Sequence, residues 1–121
     1  MADIQEKFTN VFKDKTWITH GGVSVSGSGS EVAITRVISH QLKDFIKRYH
    51  IETVIDCPCG DFNWQHQYLQ VPMKYYGYDI VPGVIEIAKT NAKKNMLWLD
   101  TTFEVADLCT KQFPEADLMI V

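Results

Sequence analysis

Three aspartates each close a short run of β-prone residues. Asp56 follows Thr53-Val54-Ile55, Asp79 follows Lys74 to Tyr78, and Asp107 follows Thr101 to Ala106. One Asp after a strand is ordinary turn chemistry. Carboxylates in register on successive strands form a more specific arrangement. Ligands of an open α/β sheet bind beyond the carboxyl ends of its strands, so these side chains would converge on one cleft. A carboxylate accepts two hydrogen bonds from vicinal hydroxyls, and it repels a phosphate. The interval from Asp56 to Asp79 is close to the roughly 20 residues between a ligand-binding turn and an acidic ribose-binding residue. The expected ligand carries an adenosine with a free ribose.

The turn after the first run narrows the ligand further. Asp56-Cys57-Pro58-Cys59-Gly60-Asp61 contains one glycine and adds a negative charge. It matches neither the G-x-G-x-x-G pattern of dinucleotide sites nor the G-x-x-x-x-G-K-[ST] pattern of triphosphate sites. A nucleoside that carries a cation suits this acidic turn better than a pyrophosphate does. S-adenosylmethionine, with a sulfonium and an ammonium, meets both requirements. An NAD-dependent oxidoreductase is a weaker alternative, because the glycine pattern is absent.

The elements that must position these residues can be traced along the chain. Ile4, Phe8, Val11 and Phe12 share one side at helical spacing, which predicts a short amphipathic helix. Trp17 precedes the Gly/Ser-rich stretch 21–30, expected to close as a lid over a polar ligand group. Ser28 and Glu31 fit a capping box for a helix running to about His50. Its expected buried stripe is Ile34, Val37, Ile38, Leu42, Phe45, Ile46 and Tyr49. Thr53–Cys57 reads as a buried strand, 63–69 as a short helix stopped at Val71-Pro72, and Lys74–Asp79 as a second strand. A helix from Pro82 to about Asn95 follows, then strands over 101–106 and 118–121. Strands alternating with helices imply an α/β fold with a Rossmann-like, doubly wound, mostly parallel sheet. Residues 1–30 form the N-terminal helix and lid segment in this reading, and 31–121 the ligand-binding half-domain.

Composition excludes several classes. The chain has 121 residues, one domain's length, and a formal net charge of −3. The acidic balance argues against a general nucleic-acid binder. No run approaches the roughly 20 apolar residues that cross a bilayer, and residues 1–6 lack a secretory signal's apolar region. Cys57, Cys59 and Cys109 do not make a disulfide framework, and no His or Cys stands at metal-ligand spacing. Reduced thiols in a cytoplasmic protein without a metal are the expectation.

Val54-Ile55-Asp56-Cys57-Pro58-Cys59-Gly60-Asp61 resembles motif I of the class I S-adenosylmethionine-dependent methyltransferases. With Phe62-Asn63-Trp64, it resembles a poorly characterised branch with a D-x-P-C-G-D-F-N-W signature. Tyr76-Gly77-Tyr78-Asp79, Phe103 to Leu108 and Asp117 to Val121 resemble the family's second, third and fourth strands. The resemblance implies roles for particular residues. Asp56 and the backbone of Cys57, Pro58, Cys59 and Gly60 would face the methionine moiety. Asp79 would hold the ribose hydroxyls, and Ile80 would lie against the adenine. Asp107 would meet the adenine amino group, and the Leu108 N–H a ring nitrogen. Of the motif's glycines only Gly60 remains, with Pro58 and Phe62 at the other places. The family's sheet continues past a fourth strand. The resemblance implies a methyltransferase domain that binds S-adenosylmethionine and transfers its methyl group to an unidentified substrate; the alternatives are a truncated or inactive cofactor-binding module, or a half active only as an assembly, such as a homo-oligomer paired through the C-terminal strand. The methyl acceptor is not legible, and no catalytic residue is named.

Overall fold

The computed structural model describes residues 32–121. The expected N-terminal helix, the lid and the capping box lie outside the described residues. Helix α1 spans Val32–Tyr49, strand β1 Thr53–Asp56, and a 3-10 turn Gln65–Gln67. Strand β2 spans Lys74–Asp79, helix α2 Pro82–Asn95, strand β3 Asp100–Val105 and strand β4 Leu118–Ile120. The strands form one parallel sheet in the order β3-β2-β1-β4. That order reverses at β1, as in the nucleotide-binding half of a Rossmann-like fold. The first three strands alternate with helical elements because β-branched and aromatic runs alternate with 3.6-period segments, and β4 follows β3 through the irregular stretch 106–117. Each helical connection lets the next strand return parallel.

The period-two alternation of each strand divides the core between two faces. Val54 and Tyr75 pack on the helical side with Phe62, Tyr68, Ile85 and Ala88. Ile55, Cys57 and Tyr78 face the other way, against Ala106 and Phe113 of the connection that leads to β4. Helix α2 behaves as its sequence predicts. Pro82 opens it where a missing N–H costs nothing, and Lys93 and Lys94 meet the negative end of its dipole. Val84, Ile85, Ala88 and Ala92 form its buried side. Among the described residues no helix is long and apolar enough to cross a membrane.

Two expectations need correction. The buried face of α1 carries Thr35, Ser39 and Ile46, with Leu42 half-buried. Val37, expected in the core, is 70% exposed, and Ile38, Phe45 and Tyr49 are exposed too. The reason lies in the neighbour. The helix packs against the 3-10 turn, whose Gln67 Nε2 donates to Thr35 Oγ1 at 3.1 Å. That bond holds Thr35 inward and leaves the centre of the apolar stripe about a quarter-turn round the helix. The helix expected over 63–69 is only the turn Gln65–Gln67. Phe62 adopts φ 60°, a left-handed conformation that cannot begin a right-handed helix, and Trp64 provides no side-chain cap. Smaller shifts affect strand ends. Asp100, one residue ahead of the strand expected over 101–106, opens β3 and pairs with Lys74 at 3.0 Å.

Candidate functional site at the carboxyl edge of the sheet

The sheet brings the predicted carboxylates to one edge. Asp56 is the last residue of β1 and Asp79 the last of β2, while Asp107 stands two residues beyond β3. The three strands are neighbours, and the Ala106 N–H donates to the Asp79 carbonyl at 2.9 Å. Among the described residues no ion pair involves Asp56, Asp79 or Asp107. Negative charge thus accumulates at this edge without a cationic partner among the described residues.

The turn after β1 is unusual in its donors. The Cys57 N–H donates to the Ile120 carbonyl at 3.0 Å and the Cys59 N–H to the Tyr78 carbonyl at 2.8 Å. Pro58 has no N–H. The Gly60 N–H donates to Asp79 Oδ2 at 3.1 Å. Every backbone donor from Cys57 to Gly60 is already used within the protein. An anion-binding turn works the opposite way, presenting free N–H groups. The stretch 57–60 therefore offers an anion no free N–H, and its surroundings favour a cation.

The conformation of the turn has its own supports. Gly60 and Phe62 both lie in the left-handed region, at φ 63° and 60°. The Phe62 ring is fully buried, edge-on to Tyr75 and Phe103, with centroids 5.2 and 5.8 Å away. Asn91 Nδ2, from α2, donates to the Asp61 carbonyl at 2.7 Å. Gln65 Nε2 donates both to Asp56 Oδ2 at 2.9 Å and to the Cys59 carbonyl at 2.7 Å. Tyr75 donates its hydroxyl to the same Asp56 oxygen at 2.7 Å. Both bonds fall on Oδ2, and Oδ1 bonds no described residue.

Burial governs the titration of these groups. It raises the Asp56 carboxyl from 3.8 to about 6, against the lowering effect of Tyr75 and Gln65, and the charge of Asp79 adds to the rise. The Asp79 carboxyl is raised for the same reason, with the N–H groups of Val81, Gly60 and Ile80 opposing. Burial pushes the Cys57 thiol up to about 11 and the Cys59 thiol well above its ordinary value. Both stay protonated at neutral pH, so neither is an activated nucleophile.

The other predicted residues border the same edge. Ile80 is half-buried after Asp79, and Pro58 is exposed. Asp107 Oδ1 accepts the Cys109 N–H at 2.9 Å, and the Asp107 carbonyl accepts those of Thr110 and Lys111. The Leu108 N–H bonds no described residue. The sequence reading missed Gln65. Hydropathy does not mark a glutamine for burial, and no motif placed it beside Asp56.

No protein-family model matches the sequence, and neither does any curated protein. Solved structures do match. Magnesium protoporphyrin IX methyltransferase (ChlM) from Synechocystis PCC 6803 with bound SAH superposes with a TM-score of 0.67 at 14% identity, covering 98% of this chain and 56% of that one. The same enzyme with bound SAM gives a TM-score of 0.66 at 14% identity, with 98% and 59% covered. The chain thus spans little more than half the length of these structures. The likeness establishes the Rossmann-like fold.

Proposed function

We propose that this chain binds S-adenosylmethionine and forms the cofactor-binding part of a methyltransferase. The observation that carries the proposal is the start of the turn after β1, where the N–H groups of Cys57, Cys59 and Gly60 are engaged beside the carboxylates of Asp56, Asp79 and Asp107, which form no ion pair among the described residues. Such a site repels the pyrophosphate of a dinucleotide and attracts a nucleoside bearing a cation. The residues present fit S-adenosylmethionine. Asp79 holds the ribose hydroxyls with the lone pairs that Gly60, Val81 and Ile80 leave unused. Asp56 presents Oδ1 to the ammonium. Asp107 and the Leu108 N–H read the adenine edge, and Ile80 packs against its ring. The backbone of Cys57, Pro58, Cys59 and Gly60 lines the methionine side. The fold shared with ChlM, whose structures contain SAM and SAH, supports the same reading.

When bound, the cofactor supplies a methyl carbon already activated by its sulfonium. The protein's part is then to orient, to exclude water and to hold the acceptor in line. No general base is obligatory, and no acceptor is assigned. The whole reaction belongs to the proposal, with further elements or a second chain completing the acceptor site.

Calorimetric titration with S-adenosylmethionine, S-adenosylhomocysteine and NAD tests the reading. Binding of the first two and not of NAD is the expected result. Binding of NAD alone would reassign the chain to nucleotide-dependent redox chemistry.

A further inference from the structure

A fully buried glutamine calls for an explanation. Gln65 is 1% exposed, and buried side-chain amides persist only where their hydrogen bonds are satisfied. Its Oε1 accepts the Trp64 N–H at 3.3 Å, and its Nε2 supplies the bonds to Asp56 and Cys59. The two oxygens that share Nε2 come from opposite sides of the ligand-facing turn. One ends β1, and the other lies in the middle of the turn. Both are acceptors, so without a donor between them they repel and the turn opens. An isosteric leucine supplies no donor, and a glutamate supplies a further acceptor.

We propose that Gln65 is a positioning residue for the cofactor: its amide fixes the Asp56 carboxylate and the Cys59 carbonyl in the arrangement that receives the cation. It does this from behind the cleft, without touching the ligand. The inference rests on the S-adenosylmethionine reading above. Asp56 is faced by few polar groups, and each has a definite sign of effect. The Tyr75 hydroxyl from β2 and the Gln65 amide from the 3-10 turn favour its ionised form. Asp79, at the end of β2, opposes it. Tyr68, Cys57 and Cys59 lie near enough to feel its charge, and burial keeps all three neutral. Removing the amide therefore misplaces the turn and also makes Asp56 harder to ionise.

The test uses the full 121-residue chain. S-adenosylmethionine is titrated calorimetrically from pH 5 to pH 8.5 into the wild type, Gln65→Leu, Gln65→Glu and Tyr75→Phe, with thermal melts to establish folding. Wild-type affinity should rise with pH through about 6 and level off. Gln65→Leu should bind about 10-fold more weakly at pH 8, the scale of one hydrogen bond to a charged group. Its acid limb should move to higher pH. Gln65→Glu should move that limb further, because two adjacent carboxyls share a proton. Tyr75→Phe keeps the tether on Cys59, so it should shift the limb with a smaller loss at pH 8. Wild-type affinity and pH profile in folded Gln65→Leu, or in Gln65→Glu should the leucine variant not fold, would overturn the positioning role alone. A wild type that binds no S-adenosylmethionine at any pH would instead overturn the cofactor reading together with this inference.

Discussion

Replacing Asp56 with asparagine should stabilise the ligand-free protein at neutral pH while weakening its grip on S-adenosylmethionine. The carboxyl is 3% exposed, and burial raises it from 3.8 to about 6. Below 3.8 it is neutral in both the folded and the unfolded chain, and its hydrogen bonds stabilise the fold in full. As the pH climbs through about 6, the folded state must ionise the group inside the protein, and that stability is lost. At about 1.4 kcal/mol per pH unit, the rise corresponds to a loss of about 3 kcal/mol by pH 7.5. Asparagine never ionises, and its carbonyl can still accept from Tyr75 and Gln65. The assay is urea unfolding of wild type and Asp56→Asn at intervals from pH 4 to pH 8. Other titrating groups are common to both proteins, so the difference between the curves isolates Asp56. The variant should gain on the wild type between pH 4 and pH 6 and hold that gain above it. Its affinity for the cofactor should fall behind that of the wild type over the same range, because only the wild type gains a counter-charge for the ammonium. A stability gap that does not change with pH would refute the argument that Asp56 is buried and ionised.

Asp79→Ala should weaken S-adenosylhomocysteine binding by about 1.5–3 kcal/mol, the worth of hydrogen bonds to a charged acceptor, as read by calorimetry. Gly77→Ala should destabilise the fold by about 1–3 kcal/mol in thermal or urea melts, the usual cost of overpacking a core. A Cβ there would meet the Phe103 ring at 2.7 Å and the Tyr75 ring at 2.9 Å. The outer edge of β4 has no partner among the described residues. We propose that a second copy pairs with it, which predicts a dimer in light scattering and slow amide exchange across Leu118–Ile120. A monomer with fast exchange there would count against it.

Much of this architecture was legible because strands announce themselves by composition. Thr53-Val54-Ile55 and Tyr75-Tyr76-Gly77-Tyr78 could be nothing else in a chain of this period, and Pro82 marked the start of α2. The strand-end aspartates followed from topology alone. Periodicity was less informative for α1, where it indicates that a helix has an apolar side without saying which side finds a neighbour. Val37 and Phe45 belong to the apolar stripe, yet Thr35, which meets the 3-10 turn, and Ser39 are the residues that are buried. Gln65 was invisible for a related reason. Its burial depends on two acceptors that only the folded turn brings together. Phe62 stood out as a departure from a glycine position, and the structure shows that the departure is in the side chain. The backbone keeps the glycine-like conformation.

That last feature has a thermal consequence. A glycine at residue 62 would let the lip of the cleft wander among conformations while the sheet stayed intact. Phe62 forbids this, because its backbone can leave the left-handed region only by drawing its ring off those of Tyr75 and Phe103. The lip is therefore fused to the core and cannot soften before it. On heating, the capacity to bind and the fold itself should disappear in a single transition, with no window in which an intact sheet carries a molten site.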